Sequence, residues 1–548
     1  MPLWLFRLGA AAILTLVSAA PAGPATQPDT PAEKARFARG IEIRKILADA
    51  LERSYQNNGI WPGQLPQPDG HELAYARPPA ILDEKFPREF AKASVVLHER
   101  FEDYPAGIWV GYADGHLEFT DSVEGLADCK GQIQILRDAI RINGHPVDGR
   151  DRVSADGGKF AKVEGETEPT ALAQPSGILN LVVVDQDGHP VAGTLVGTSG
   201  AFGDSNPPQK RVNFYRGGPV APEVTDAQGS VAIPASRVFA PDARLAPGEP
   251  AYALYFLQPQ RGLVALEDIR PADFGDGRIH NVRLSPACKV TGDVTSLGLR
   301  AIGRSQTWLG TVAYWPGRQR LRALSSESAD ERFEYLLPPG DYGIHLQGTD
   351  TDYVKRYIRI EPGRQDIHLQ IDLPPTITIG LLGKPAPELR GIEGWKNSPP
   401  LTLAELRGKY VLLDFWGYWC GPCLGAMPDL MALHDQFKDK GLVIIAVHND
   451  TADSIEDMDR KLDETRHKQW AGRDLPFPIA LDGGGETRFT GSSLTTYGAT
   501  TAAYGIQSFP TSLLIGPDGV VIRELDVRKA STRSEIENYL KSLPPTGR

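Results

Sequence analysis

The stretch KYVLLDFWGYWCGPC, from Lys409 to Cys423, limits what this chain can fold into more than any other. Tyr410 to Trp416 is a near-continuous apolar run, the pattern of a strand buried on both faces in a parallel sheet, and LVIIAVHND, starting at Leu442, is a second. Between them Met427, Leu430, Met431, Leu433 and Phe437 recur at helical spacing from about Pro422, and Gly441 just past the last of them suits a helix C-cap. A second helix over about Asp453 to Trp470, an apolar strand FPIAL, a hairpin TSLLIGPDGVVIREL and a last helix TRSEIENYLKSL continue an α/β pattern. The last helix carries a capping box, Thr532 with Glu535. Residues 379–548 therefore read as one α/β domain.

The chain has four cysteines, and Cys420 and Cys423 stand at the junction of the first strand and helix. Zinc needs four ligands, and Cys129 and Cys288 lie far off in other modules, so no metal site is expected. As a structural staple the pair would close too short a loop to restrict the unfolded chain much. A working dithiol fits the placement. Cys420 falls at a helix N-terminus, where unpaired N–H groups and the macrodipole favour a thiolate, and Pro422 in the first turn costs no hydrogen bond. Cys423 falls one turn inside, more covered, placed to attack a mixed disulfide formed on Cys420. Cys129 and Cys288 are expected to be buried thiols, with a disulfide between them as the alternative.

At 548 residues three or four units are expected. The net charge of -11 has no acidic or basic block and argues against a nucleic-acid surface. MPLWLFRLGAAAILTLVSAAPAGPA, with Arg7 ahead of a short apolar stretch, predicts an export signal over 1–22, with an uncleaved anchor as the alternative. No later apolar run reaches the ~18 residues of a further membrane span. From Pro31 to about Asn58, Phe37, Ile41, Leu47, Leu51 and Tyr55 mark an amphipathic helix, and VVLHER and GIWVGYADGHLEFTDS read as strands about an Asp-Gly turn. Together they predict a small α+β unit over 31–148, with His116 a solvated turn residue. Residues 149–176 are rich in Gly, Glu, Thr, Ala and Pro without periodicity and read as a linker. Short strands broken by Gly and Pro, from GILNLVVVDQDGHPVAG to RYIRIEPGRQDIHLQIDLPP, predict two all-β sandwiches over 177–286 and 287–375.

Three resemblances add to this reading. YADGHLEF after a long helix is similar to the head regions of pilin-like secretion proteins, without their apolar assembly helix. DGHPVAG and LPPGDYGIHLQG resemble carboxypeptidase-regulatory and collagen-adhesin B-type repeats, immunoglobulin-like modules that space or present other domains. WCGPC after an apolar strand, Asp414 before it, Pro428 after it and SFPTSLLI downstream resemble the thioredoxin superfamily. Within that superfamily GKPAPEL, LTLAELRGKYVLLDFW and LIGPDGVV look like the exported TlpA/ResA branch of thiol-disulfide oxidoreductases. Three departures stand out: Ala426 where a glutamate is usual, Gly516 where an aspartate is usual, and a long insert over 451–503, whose GGGETRFTGSS reads as a flexible lip.

The thioredoxin resemblance implies that Asp414 is a buried carboxylate managing the proton of the resolving thiol. It makes Pro510 a cis-proline beside the dithiol, and Phe509 the residue offering its backbone to an extended substrate. Trp419, Gly421, Pro422 and Thr511 join the substrate surface on the same ground. The fold class expected is multidomain, a C-terminal thioredoxin-fold domain preceded by two immunoglobulin-like sandwiches and a small α+β unit. The function expected is an exported thiol-disulfide oxidoreductase that reduces protein disulfides, with no cofactor, a disulfide-bearing protein as substrate and an upstream dithiol as electron donor. A peroxiredoxin-like peroxidase is one alternative, although that branch wants a threonine where Gly417 stands. A non-catalytic surface binding protein that retains the fold is the other.

Overall fold

The computed structural model describes residues 30–56, 61–68, 72–76, 93–143, 174–200, 212–215, 219–239, 252–314, 322–328, 331–488 and 495–542. The expected leader over 1–22 and all but 174–176 of the expected linker lie outside them. No helix among the described residues is long and apolar enough to cross a membrane. The chain divides into two compact units that meet in sequence between Pro375 and Thr376.

In the first unit two pairs of sheets face one another. Strand Ile178–Val184 alternates strictly, so Leu179, Leu181 and Val183 meet Phe256 and Ala265 from the opposite sheet. Tyr252–Gln258 is apolar on both faces. Its Leu254 and Phe256 fill that first core, while Tyr255 and Leu257 fill the next one with Val290, Leu346 and Ile371. The first core lies wholly before the predicted boundary between 286 and 287, whereas the second reaches back across it to Tyr255, Leu257 and Val264.

The predicted α+β unit over 31–148 is not a separate body either. Leu117–Thr120 pairs antiparallel with Asp366–Asp372, so the strands before residue 121 extend a seven-stranded sheet that includes Cys288–Thr295 and Arg332–Leu337. An otherwise open strand edge is thereby covered. Helix Pro31–Gln56 lays Ile43, Leu47 and Ala50 on one face of the hairpin, and helix Val123–Asn143 lays Cys129 on the other. Glu118 and Arg356, both buried, are ion-paired at 2.7 Å across the join. His116, expected in solvent, is fully buried: its ring stacks on Tyr112 at 4.0 Å, and Nδ1 lies 2.5 Å from Asp114. Cys129 and Cys288 are free, buried cysteines, and burial pushes the Cys129 thiol up to about 12.

The second unit is an α/β domain, as its sequence pattern predicts. Its six-stranded sheet runs in the order β1 (Gly394–Lys396), β4 (Ile479–Leu481), β3 (Leu442–His448), β2 (Tyr410–Trp416), β5 (Thr511–Ile515) and β6 (Val521–Leu525). β2, β3 and β4 are parallel; β1, β5 and β6 run against their neighbours. All seven residues of β2 are buried, as its apolar run requires. Leu412 and Trp416 pack toward α1 (Gly421–Phe437), α2 (Ile455–Gln469) and α4 (Ala530–Leu540). Val411, Leu413 and Phe415 look the other way, onto Leu403, Leu406 and Ala503 of α3 (Ala499–Ala503). Burying each such leucine or phenylalanine is worth about 2–3 kcal/mol.

Three local features bear on the site. Pro428 sits inside α1 and has no N–H for the Leu424 carbonyl; the Trp470 indole N–H donates to that carbonyl instead, at 3.0 Å. Gly441 takes φ 98° at the turn into β3, as a C-cap glycine does. The expected Thr532–Glu535 box does not form: α4 starts earlier, at Ala530, and Thr532 donates to the Asp526 carbonyl. Of the stretch GGGETRFTGSS expected to be a flexible lip, Glu486–Arg488 instead form a two-stranded ladder with Thr495–Tyr497, and residues 489–493 lie outside the described residues.

Candidate active site

β2 ends at Trp416 and α1 begins at Gly421, so the intervening turn delivers Cys420 to the helix N-cap. Its Sγ accepts the Cys423 backbone N–H at 3.2 Å, a first-turn donor that also reaches the Cys420 carbonyl at 2.9 Å. Cys420 and Cys423 are bonded, with S–S 2.03 Å. Cys420 keeps 5% of its surface exposed and Cys423 none, so an incoming thiol can reach only the first sulfur. Gly421 and Pro422, between them, are exposed.

An aromatic rim borders the disulfide. Trp419 is 44% exposed, and its ring meets Phe509 edge-on at 5.6 Å. The Phe509–Pro510 bond is cis. Thr511 is buried, and its hydroxyl donates to the Ser508 carbonyl at 2.8 Å, so it braces the loop rather than facing an incoming chain.

Asp414 is buried on β2, two residues before Trp416 on the same face. Burial pushes its carboxyl up to about 7, against a hydrogen bond from the Ser512 hydroxyl that favours the ionised form.

The second bracket of the site comes from β3, which sequence reasoning did not single out. His448, wholly buried at the end of β3, accepts the Tyr418 N–H on Nε2 at 3.0 Å and donates from Nδ1 to the Asn449 carbonyl at 2.7 Å. Its ring stacks on Tyr418 and meets Trp416 edge-on. Thr451 then accepts the Trp419 indole N–H at 3.1 Å and donates to Asn449 Oδ1. The HND of LVIIAVHND was the available signal, since a polar triplet closing an apolar parallel strand falls at the sheet's carboxyl end, beside the end of β2.

The arrangement is a disulfide with one reachable sulfur at a helix N-terminus, a covered partner behind it and a buried carboxylate in the strand below. The family model described as AhpC/TSA matches residues 382–524. A thiol-disulfide oxidoreductase ResA from Bacillus thuringiensis subsp. konkukian is 36% identical over 166 residues, which is 30% of this chain and 79% of that protein. The chain belongs to the ResA-like thiol-disulfide oxidoreductases. Protein DipZ of Mycobacterium bovis is 41% identical over 100 residues, 18% of this chain and 14% of that one. The thioredoxin domain of a thiol-disulfide oxidoreductase from Bacteroides vulgatus is 24% identical, with a TM-score of 0.22 over 29% of this chain and 97% of that one.

In this oxidoreductase His448 is pushed down to about 4 by burial, while an unfolded imidazole takes its proton near 6.5. The unfolded chain therefore binds the proton first on acidification, and stability from the neutral ring is lost as pH falls from 6.5 to 4. His448→Phe, which keeps the stack but leaves the Tyr418 N–H unmet, is expected to weaken the second unit by about 1–2 kcal/mol at pH 7. The deficit closes toward pH 4.5. Hydrogen exchange at residues 416–419 measures it, and a deficit equal at both pH values contradicts this account.

Proposed function

We propose that this oxidoreductase is exported and reduces protein disulfides through Cys420 and Cys423. The difference in exposure between the two sulfurs carries the reading. Once reduced, Cys420 meets a substrate disulfide as a thiolate favoured by the Cys423 N–H and the start of α1. Its sulfur bonds to one substrate sulfur, and the other leaves as a thiolate. Cys423, deprotonated by Asp414, then bonds to Cys420 and displaces the remaining substrate sulfur. Two electrons pass to the substrate and the Cys420–Cys423 bond returns, so each turnover needs an upstream dithiol donor and no cofactor. The exposed edge of Trp419, Phe509 and the Gly421–Pro422 turn receive the substrate chain, with cis-Pro510 shaping its path. The apolar leader after Arg7 supports export, and the modules before residue 376 serve as spacers or presenters.

With Cys423→Ser the second displacement is blocked. The expected result is a substrate protein captured on Cys420 and released by dithiothreitol. Capture that persists in the Cys420→Ser, Cys423→Ser double variant refutes the assignment. A reduction potential near ~-120 mV, at the oxidant end of the scale, instead of toward ~-270 mV, reverses the proposed direction.

The AhpC/TSA match keeps a peroxidase as the second reading. Against it, a Cβ added at Gly417 would stand 2.8 Å from the Trp419 ring, so a threonine there would displace the rim. Peroxide turnover without insulin reduction would favour that reading.

A further inference from the structure

Asp414 lies in a layer that is otherwise almost wholly apolar. Along β2 its neighbours on the same face are Leu412 and Trp416; across the ladders it stands opposite Ala446 of β3 and Ser512 of β5. Leu514, two residues after Ser512, belongs to the same core layer, as do Cys423 and Met427 from α1 above it. Ser512 is itself buried, and its hydroxyl donates to Asp414 Oδ1 at 2.5 Å. Oδ2 is buried and finds no hydrogen-bond partner among the described residues. One carboxylate oxygen is thus tied to the sheet, and the other is unclaimed in the layer that holds the resolving sulfur.

We propose that Ser512 is a positioning residue for the proton step, holding Asp414 by Oδ1 so that Oδ2 is the oxygen that takes the proton from Cys423. This rests on the dithiol reading above. In the mixed disulfide the Cys423 S–H proton passes to Oδ2, and its sulfur electron pair forms the bond to Cys420. The bond from Cys420 to the substrate sulfur breaks with its pair, and that sulfur leaves as a thiolate that is protonated in turn. Ser512 enters no bond change. Its donated hydrogen bond favours the carboxylate over the carboxylic acid, and its fixed place on β5 removes the rotation that would carry the free oxygen away.

The test is the pH profile of insulin-disulfide reduction by the full chain, supplied with dithiothreitol, for wild type, Ser512→Ala, Ser512→Thr, Ser512→Val and Asp414→Asn. A hydrogen bond to a charged group corresponds to about one pKa unit or more. Ser512→Ala is therefore expected to move the acid limb about one pH unit upward, a roughly tenfold loss at pH 6 that shrinks to under about twofold by pH 9. Ser512→Thr keeps the wild-type limb and Ser512→Val matches alanine; this pair, alike in shape, carries the comparison if the alanine variant does not fold. A loss equal at every pH overturns the proposal, because that is what misplaced packing produces. An unmoved Ser512→Ala profile beside an impaired Asp414→Asn also overturns it while leaving Asp414 as the proton acceptor. Full activity in Asp414→Asn removes both, and full activity in a Cys420→Ser control removes the dithiol reading itself.

Discussion

Cys420→Ser is expected to lower insulin-disulfide reduction by about a thousandfold or more, down to the rate of the dithiol donor alone. A serine hydroxyl at that N-cap still accepts the Cys423 N–H, so the helix start survives and the loss is chemical. Cys423 cannot take over, since it has no exposed surface and lies one turn inside α1. Separate measurement of far-ultraviolet circular dichroism shows whether the fold is kept. Activity within tenfold of wild type in a folded variant would show that this dithiol does not carry the reduction.

Asp414→Asn is expected to do two opposite things. The folded carboxyl titrates at about 7 because it is buried, while an unfolded aspartate titrates near 3.8. Between those values the folded chain holds a proton that the unfolded chain has released, so wild-type stability falls as pH rises from 4 to 7 and stays low above that. The full span corresponds to about 4 kcal/mol, from which the unmet N–H groups of a buried amide subtract about 1–2. The variant should therefore gain about 2 kcal/mol at pH 8 and nothing, or a small loss, at pH 4.5. Reduction at pH 7 should fall about 100-fold, the lower end of the usual worth of a positioned proton acceptor. Hydrogen exchange of the β2 amides in the oxidised protein reads the first effect. A gain that is the same at both pH values would mean that Asp414 does not change its charge in this window. His448 opposes it there: acidification costs stability through the imidazole and restores it through the carboxyl.

Both results together would place the site among those where stability is given up for reactivity. An apolar residue at 414 would pack well between Leu412 and Trp416, and the layer tolerates the carboxyl because Ser512 satisfies one of its oxygens. Ala426, which stands where the family usually has a glutamate, is 1% exposed and packs in that same core. Position 426 thus brings no second acid into the layer that holds Asp414.

Much of the second unit was legible because its signals are local. An apolar run long enough for one strand, a 3.6-residue repeat behind it, Pro422 in the first turn and Gly441 after the last depend only on nearby residues, and they locate Cys420 at a helix start before any tertiary contact is known. The capping box at Thr532 failed for a related reason: Thr532 lies inside α4, its hydroxyl bound to the Asp526 carbonyl, so the spacing marked no helix start. The first unit was less legible because its organisation depends on which edges pair. Nothing in LEFT or DIHLQID states that Leu117 lies against Asp372, and without that pairing the N-terminal hairpin reads as a domain of its own. His116 was misplaced as well, because its ring stacks on Tyr112 within the hairpin, and Tyr112 is buried with Cys129 of helix Val123–Asn143.

The sequence by itself determined the strand, the helix and the two sulfurs at their junction, because spacing along one chain decides which residues share a helical turn. Tertiary structure alone decided which hydroxyl meets Asp414 and which imidazole holds the Tyr418 amide. Those depend on the register of β2 against β3 and β5, strands far apart in the chain, and a shift of one residue would turn Ser512 and His448 to the other face of the sheet.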